Sequence, residues 1–489
     1  MTRSDSGRSG AVSTKIEREI KLTIDPDFRL PPLPGKPIPR HLLTSTYYDT
    51  DQYDLAHAGI TLRHRAERGK QAWQLKLPLM NNRQEIEIVE RRLDPPPAFC
   101  DLLFVHLGSR PLLPVATLRV WRTGVCVHMD HVPVADVTLD LVSVLRNGAP
   151  LERFRELEIE QLDGKKRTLP NLERRLRRAG AEDHDGRSKL FRAISLPSPH
   201  HKQPPAQDAP MADHMKWAIA RYLRCLLAHD PGTRLGNESE SLHQMRVATR
   251  KLRAVLRTAK PLLVPEWADP LEEELRWLSQ VLGPTRDLDV QLSYFREEFS
   301  AMNVRDRQPL VHFIADLEVH RTKAREILLR DMRSTPYINL IRRLQEAKYD
   351  QIGIESAITL SDLAKSAFKK LRKAIRRLGP SPTNAEFHEV RKKTKWARYA
   401  AELAEPTVGK AASRFIKSAC TVQSVLVMHQ DAIQAETHVR AFLKHSTTVR
   451  AAFIAGRMVE RQRERRERAK KNIHTLWKGL LKRGERAWE

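Results

Sequence analysis

Cysteine is scarce in the 489-residue sequence. The four present, Cys100, Cys126, Cys225 and Cys420, stand far apart and form no CxxC pair. Neither a zinc ribbon nor a disulfide scaffold is supported, and a reducing compartment is implied. Aromatic residues make up only 6%, few for a surface that stacks nucleic-acid bases. No run approaches the roughly 18 apolar residues of a membrane span, and the N-terminal MTRSDSGRSGAVSTK lacks the apolar core of a signal peptide. Acid is in deficit: 86 Lys plus Arg face 60 Asp plus Glu, a formal net charge of +26 and a pI of about 10.1. Hydrophobic residues still supply 40%, enough for packed cores, which excludes general disorder. The expectation is a soluble cytoplasmic protein of about two to four domains, without membrane contact, that meets a polyanion.

Leu196–Pro210 (LPSPHHKQPPAQDAP) has five prolines and little to bury, the composition of a semi-rigid linker. Residues 1–200 hold 32 basic and 26 acidic side chains, and residues 201–489 hold 54 and 34. Most of the excess charge therefore lies beyond the linker. Before it, Lys15–Ile24, Gly59–Arg65, Ala72–Leu77, Arg83–Arg91, Gly124–Met129 and Phe154–Leu162 alternate with period two, which predicts an antiparallel β domain. A basic helix is expected over Leu169–Ala179. Beyond the linker, Met215–His229, Ser241–Leu262, Trp267–Leu282, Leu288–Ser300, Gln308–Arg333 and Ile358–Leu378 show helical spacing with few glycines, which predicts an all-α part. The chain is thus read as multidomain α+β: a disordered N-terminus (1–13), a β domain (14–196), a Pro-rich linker (197–210) and a helical domain (211–489).

In the β part, charges share one face of many strands. Glu17, Glu19 and Lys21 alternate with Arg18 and Ile20; Arg63 with Arg65, Lys76, Arg83 with Glu85 and Glu87, and Glu156 with Glu158 and Glu160 repeat the pattern. On one strand this is a solvated face. On five it suggests a closed sheet whose charged face lines a lumen and whose apolar face packs outward. Carboxylates there suit a hard divalent cation; Lys and Arg suit phosphate oxygens.

Glu17-Arg18-Glu19-Ile20-Lys21 matches the ExExK signature of the CYTH, or triphosphate tunnel metalloenzyme, family. The resemblance continues through Tyr47-Tyr48-Asp49-Thr50, Gly59–Arg65, Leu75-Lys76, Arg155–Gly164 and Ser188-Lys189. It implies an eight-stranded antiparallel tunnel that processes a triphosphate with Mg²⁺ or Mn²⁺. Carried over, Glu17, Glu19, Glu158 and Glu160 hold metal, and Lys21, Arg63, Arg65, Lys76, Arg83, Arg122 and Lys189 clamp phosphates. Lys21, Arg63, Arg65 and Lys76 join the four glutamates as the catalytic set. Glu156 shares their face. Arg119 is an alternative to Arg122, and Asp136 and Asp140 are alternatives for a further carboxylate.

In the helical part, His243, Arg246, Arg250 and Arg253 recur as His388, Arg391, Lys395 and Arg398, an offset of 145. Leu282–Asp287 recurs as Leu426–Asp431 at offset 144, with Gly283 matched by Val427 and Arg286 by Gln430. Two motifs at nearly one offset indicate a duplication. The spacing i, i+3, i+7, i+10 puts the four side chains within an arc of about 80° along about 15 Å of helix, with no acid on the stripe. The pattern resembles the CHAD, or conserved-histidine α-helical, domain. That implies two pseudo-symmetric helical bundles whose basic faces, with Arg286, bind inorganic polyphosphate, and Lys369 and Arg372 widen the groove. Arg321, Lys323 and Arg325 are weaker candidates. Asp287 and Asp431 read as structural, and Arg461–Lys471 reads as a solvated helix face.

Three functions follow. The first is a metal-dependent triphosphatase or short-chain polyphosphatase whose helical domain binds polyphosphate. The second is a non-catalytic polyphosphate binder targeted to polyphosphate or storage granules. The third, a nucleic-acid binder, lacks reader motifs and ranks last.

Overall fold

A computed structural model describes residues 12–79, 82–108, 110–146, 148–162, 168–184, 186–195, 205–236, 239–307, 311–346, 358–379, 382–443 and 448–489. Residues 1–11 of the expected N-terminal tail, 163–164 of an expected turn and 196–204 of the expected linker lie outside the described residues. The chain divides into two compact units that meet in sequence at His201 and Lys202, with Leu227–Pro231 grouped with the first.

The first unit is one antiparallel sheet. Its strands are β1 (Val12–Glu17), β2 (Glu19–Thr23), β3 (Gly35–Asp49), β4 (Thr61–Glu67), β5 (Lys70–Leu79), β6 (Asn82–Val89), β7 (Leu113–Met129), β8 (Val132–Arg146), β9 (Ala149–Gln161) and β10 (Glu182–Asp183). Their spatial order is β1-β6-β5-β4-β3-β7-β8-β9-β2-β10. Ten strands stand where eight were expected, for two local reasons. One ribbon is split at Arg18: β1 pairs with β6 up to Glu17↔Arg83, and β2 pairs with β9 from Glu19↔Glu160. The Arg18 carbonyl accepts from the Gln161 amide, so the split ribbon hands over from one neighbour to the other and closes the sheet on itself. The second reason is β10, a two-residue strand on β2. Sequence periodicity missed β3 and β8 altogether. Two turns are tight. Arg68-Gly69 and Asp130-His131 each carry two positive φ values between paired Glu67/Lys70 and Met129/Val132, the two-residue loop that suits the twist of a hairpin.

Short helices complete this unit: α1 (Asp54–His57), α2 (Pro97–Leu102), α3 (Phe104–Leu107), α4 (Thr168–Arg178) and α5 (Lys189–Ala193). Leu172 and Leu176 of α4 cover Leu22, Val137, Leu157 and Ile159 from outside. The apolar face therefore packs outward, as the alternation predicts. At one end the inward face is apolar too, where Leu43, Leu118, Val120, Val142 and Val144 enclose Leu190 of α5. Ser188 caps α5 by accepting from the Phe191 amide, which brings Lys189 to the lumen.

The second unit is helical: α6 (Met211–Leu235), α7 (Ser239–Thr258), α8 (Pro265–Ser300), α9 (Val304–Arg307), α10 (Val311–Met332), α11 (Thr335–Gln345), α12 (Leu360–Arg376), α13 (Asn384–Val408), α14 (Lys410–Leu443), α15 (Val449–Lys471) and α16 (Ile473–Trp488). A 3-10 turn, Lys260–Leu262, separates α7 from α8. Capping boxes start α12 at Thr359/Asp362 and α13 at Thr383/Glu386. The two expected helices over 267–300 are one, because α8 runs through Gly283-Pro284; the repeated Leu282–Asp287 motif is mid-helix. Phe295, Phe313, Leu317, Val439, Ile454 and Met458 share a core that joins α8, α10, α14 and α15. The duplication is visible in contacts. Arg257 lies over the Trp396 ring at 4.2 Å, and Lys251 meets Glu402 at 3.2 Å; residues 251 and 257 shifted by the offset of 145 are 396 and 402. The α7–α13 crossing thus obeys the pseudo-twofold.

Candidate functional site

The inward face of the closed sheet surrounds a cavity of about 370 Å³. Its wall includes Glu17, Glu19, Lys21, Arg63, Arg65, Lys76, Arg83, Arg122, Glu158, Glu160 and Lys189. All eleven residues of the expected catalytic, metal and phosphate-binding sets are brought to this one space by strand alternation and by α5; Glu156 is fully buried beside it, against Lys189.

Their charges are arranged as interlocked pairs. Both Glu17 oxygens accept from Lys76, at 2.7 and 2.6 Å. Glu158 accepts from Lys21 at 2.8 Å, Lys189 at 2.7 Å and Arg122 at 2.7 Å. Glu160 accepts from Lys15 at 2.9 Å. Lys189, buried among carboxylates, also meets Asp140 and Glu156 at 2.8 Å. For Glu156, Glu158, Lys21 and Lys189 desolvation opposes the charged form, yet the partners win. Burial would raise the Glu158 carboxyl, but Lys189, Lys21 and Arg122 hold it well below the carboxylate range. Glu156 is lowered to about 2 against its burial, by Lys189 and Lys21. Lys21 is raised despite burial by Glu156 and Glu158, and Lys189 is raised by Asp140, Glu156 and Glu158. These groups stay ionised through neutral pH.

The open alternatives resolve. Arg122 lines the cavity and Arg119 is exposed on the outer face. Asp140 holds Arg122 with both oxygens, 2.7 Å to Nε and 2.6 Å to Nη2, while Asp136 stands by the Cys126 thiol, which burial pushes up to about 11. Three residues escaped the sequence reading as parts of this site. Glu85 is buried against Lys76 at 3.1 Å. Gln74 and Tyr47 orient Arg63, whose Nε donates to Gln74 at 2.8 Å and whose Nη1 donates to the Tyr47 hydroxyl at 3.2 Å. Tyr47 titrates below an ordinary phenol: burial opposes this, but Arg63 beside it prevails. Glu85 stood in the alternating Arg83-Glu85-Glu87 run, so its inward face was readable.

The donors suit a hard divalent cation, since Glu17, Glu19, Glu158 and Glu160 are carboxylates on adjoining strands of one wall. They are not gathered into a preformed cage: among the described residues no group of three or more His, Cys, Asp or Glu side chains is poised around one point. Lys and Arg occupy their oxygens instead.

In the helical unit the two stripes converge where α7 meets α13. Lys395 feels Arg250, Arg391, Arg246 and Arg398. Burial first, and these cations second, push its amine down to about 7. Arg250 Nε, Arg391 Nε and Arg398 Nε are buried without hydrogen-bond partners, an arrangement suited to an anion. The copies differ. Arg246 donates to Asp287 at 2.6 Å and to the Gly283 carbonyl at 3.3 Å, whereas Arg391 meets Asp431 only through space. His243 is held below its ordinary value by burial and by Arg286. Arg253 lies 3.7 Å from Glu272, and Arg398 3.6 Å from Glu402. His388 lies half-buried on the same α13 stripe, and Arg286 donates to the Ser239 carbonyl at 3.3 Å.

Other basic candidates are placed elsewhere. Lys369 and Arg372 lie on α12, and Arg372 pairs with Glu489 at 2.5 Å; the charges acting most on Lys395 come from α7 and α13. Arg321 pairs with Asp289 at 2.5 Å, and Arg325 donates to the Thr233, Arg234 and Leu235 carbonyls at the end of α6. The run Arg461–Lys471 is only partly a solvated face: Arg461 pairs with Glu298 at 2.5 Å, Arg465 lies over Tyr294 and Arg466 pairs with Glu436 at 2.7 Å.

The chain is similar to several known proteins. Two uncharacterized proteins of Mycobacterium tuberculosis, from strains CDC 1551 / Oshkosh and H37Rv, are each 27% identical over 477 residues, covering 91% of both chains. Among solved structures, PptA from Streptomyces chartreusis is 21% identical, covering 55% of this chain and 100% of its own, with a TM-score of 0.47. The CHAD domain from the plant Ricinus communis is 21% identical, covering 57% and 94%, with a TM-score of 0.45. A CYTH domain model matches residues 15–192, which contain every tunnel residue named above, and a CHAD domain model matches residues 218–440, which contain both stripes. The chain therefore joins a CYTH domain to a CHAD domain.

Proposed function

We propose that the tunnel is a divalent-metal-dependent triphosphatase acting on inorganic triphosphate or short polyphosphate, and that the helical domain binds longer polyphosphate. The observation that carries this reading is the lumen wall, where eight cations and seven carboxylates face inward together. A site for a neutral ligand has no use for that many buried charges, which are costly unless paired or bound. Resemblance to the CYTH and CHAD families supports the same ligand for both domains. We take residues 14–196 as the tunnel domain, 197–210 as the linker and 211–489 as the helical domain, in a cytoplasmic protein. Among the described residues no helix is long and apolar enough to cross a membrane.

In this reading Lys21, Arg63, Arg65, Lys76, Arg83, Arg122 and Lys189 bind the phosphate oxygens and offset charge developing on the transferred group. Asp140 and Glu156 position Arg122 and Lys189, and Tyr47 with Gln74 fixes Arg63. Glu17, Glu19, Glu158 and Glu160 would hold Mg²⁺ or Mn²⁺. When bound, the cation supplies Lewis-acid polarisation of phosphate oxygens and a more acidic water. In this reading water is the attacking group, and the protein's part is positioning and charge neutralisation.

The test is phosphate release. With Mg²⁺ or Mn²⁺, purified protein should release phosphate from triphosphate, and the Glu17→Ala, Glu19→Ala double variant should not. Silence across both metals, several triphosphates and long polyphosphate would leave the non-catalytic polyphosphate or granule binder, which the resting pairing of acids with cations favours. Polyphosphate binding should fall steeply with salt and weaken in Arg246→Glu, Arg250→Glu while tunnel hydrolysis persists. Equal affinity for duplex DNA of matched charge would return the nucleic-acid reading.

A further inference from the structure

His184 belongs to neither the metal set nor the phosphate set of the tunnel, yet its imidazole is packed behind the tunnel wall. The side chain is 5% exposed, and Nε2 lies 3.0 Å from Oε1 of Glu156, a carboxylate with no exposure at all. The other ring nitrogen settles the direction of that bond. Nδ1 accepts from the Gly186 amide at 3.0 Å, so Nδ1 carries no proton. The ring proton is then on Nε2, and it is donated to Glu156.

The backbone brings this ring to its place without help from the ring itself. β10 pairs Glu182 with Thr23 and Asp183 with Leu22, and Arg177 of α4 meets the Asp183 carboxylate at 2.5 Å. His184 follows directly. Gly186 takes φ 78°, a left-handed conformation that glycine adopts without strain, and its amide returns to Nδ1. Two residues on, Ser188 caps α5 and Lys189 enters the lumen. One short segment therefore delivers both the phosphate-site lysine and the imidazole that acts on its counter-ion.

Glu156 divides its two oxygens. Oε1 takes the proton of His184. Oε2 faces Lys189 at 2.8 Å and Lys21 at 3.8 Å, the first an ion contact without hydrogen-bond alignment. The directed bond of Lys189 goes to Glu158 at 2.7 Å. With Oε1 engaged by the imidazole, Glu156 offers Lys189 its charge through one oxygen and not a two-oxygen grip. Remove the imidazole, and Oε1 is buried with no donor, a costly state. The carboxylate then gains by turning both oxygens to Lys189 and Lys21, which holds these ammonium groups away from a phosphate.

We infer that His184 is a positioning residue for the tunnel's phosphate site: from behind the wall it fixes the Glu156 carboxylate so that Lys189 and Lys21 stay available to phosphate oxygens. This rests on the triphosphate reading of the tunnel.

The experiment is steady-state hydrolysis of triphosphate by the full chain with Mg²⁺ or Mn²⁺, at a temperature where circular dichroism shows every variant folded. His184→Ala should lower kcat/KM about tenfold, the usual worth of a hydrogen bond to a charged group. His184→Gln places an amide nitrogen near the Nε2 position and should recover to within about threefold of wild type. His184→Asn reproduces only the Nδ1 side and should behave like His184→Ala. In a Glu156→Gln background, His184→Ala should cost less than about twofold, because the charge that it steers is gone. An equal loss in both backgrounds, or rescue by Asn and not by Gln, would confine His184 to holding its own loop and overturn the inference while the triphosphate reading stands. Wild-type kcat/KM in His184→Ala would overturn it likewise. Wild-type protein that releases no phosphate from triphosphate would remove the triphosphate reading, and this inference with it.

Discussion

Replacing Lys395 with arginine should abolish most of the pH dependence of polyphosphate binding. Lys395 sits between Arg250 and Arg246 of α7 and Arg391 and Arg398 of α13, with no acid among the charges that act most on it. Burial and this cluster lower its amine from 10.5 to about 7, so at pH 9 the free protein carries it largely neutral. A phosphate chain laid on the stripe favours the ammonium form and must recruit a proton. The sign is therefore fixed: the ligand-bound state holds more protons than the free state, and affinity falls as pH rises through about 7. Two pH units above that value cost about 2.7 kcal/mol at 1.36 kcal/mol per unit, which sets a ceiling near 100-fold between pH 6 and pH 9. Part of that cost is avoided because the chain can bind with Lys395 neutral, so a loss of about 10-fold is the working expectation. Arginine keeps its charge over this range, and Lys395→Arg should stay nearly flat. The assay is fluorescence anisotropy of a labelled long polyphosphate at constant ionic strength; a long chain keeps its titrating ends negligible. His243 and His388 are common to both proteins, so the difference between the two profiles belongs to position 395. Superimposable profiles would refute the reasoning.

Three further outcomes are expected. Gly484→Ala on α16 would drive its Cβ into the Phe368 ring on α12, an overpacking that costs about 1–3 kcal/mol; an unchanged thermal midpoint would contradict the packing described. Arg325→Ala removes three hydrogen bonds to the last carbonyls of α6 and should cost about 2 kcal/mol in denaturant unfolding while leaving polyphosphate affinity within about twofold. The folded-state carboxyls of Glu156 and Glu158 lie below their ordinary value, so the stability they contribute is complete above about pH 4.5 and is lost as pH falls toward 2; denaturant midpoints between pH 6 and pH 3 should drop in wild type and drop less in Glu156→Gln.

What the sequence made legible was local. Period-two alternation put Glu17, Glu19 and Lys21 on one face, and that parity alone decides which side chains reach the lumen. The offset of 145 exposed the duplication because a helix keeps its spacing wherever it packs. The failures are nonlocal. Arg372 pairs with Glu489, 117 positions away; Arg461 finds Glu298 at a separation of 163. Choosing Asp140 over Asp136 needs the β7–β8 register, which places Arg122 opposite Asp140 and Cys126 opposite Asp136. The split at Arg18 was unreadable because both halves alternate in phase. Gly283-Pro284 reads as a helix break by propensity, yet packing on both sides carries α8 through it.

The two sites solve the same electrostatic problem in opposite ways, and net charge reports only one of them. In the tunnel the counter-ions are the protein's own carboxylates, fixed in place, so a ligand displaces them without releasing ions to bulk water. Binding there should respond weakly to salt and strongly to the supply of divalent cation. In the stripes the four repeated positions carry no acid, and although Asp287, Glu272 and Glu402 reach Arg246, Arg253 and Arg398 from beside them, the central Arg250 and Arg391 keep buried nitrogens without partners. Mobile anions from solution must screen them, and a polyanion that displaces those ions gains their release. The excess of +20 beyond the linker is the mark of that second strategy. The +6 before it records nothing of a wall where fifteen charges nearly cancel, although that wall is where a triphosphate would be cut.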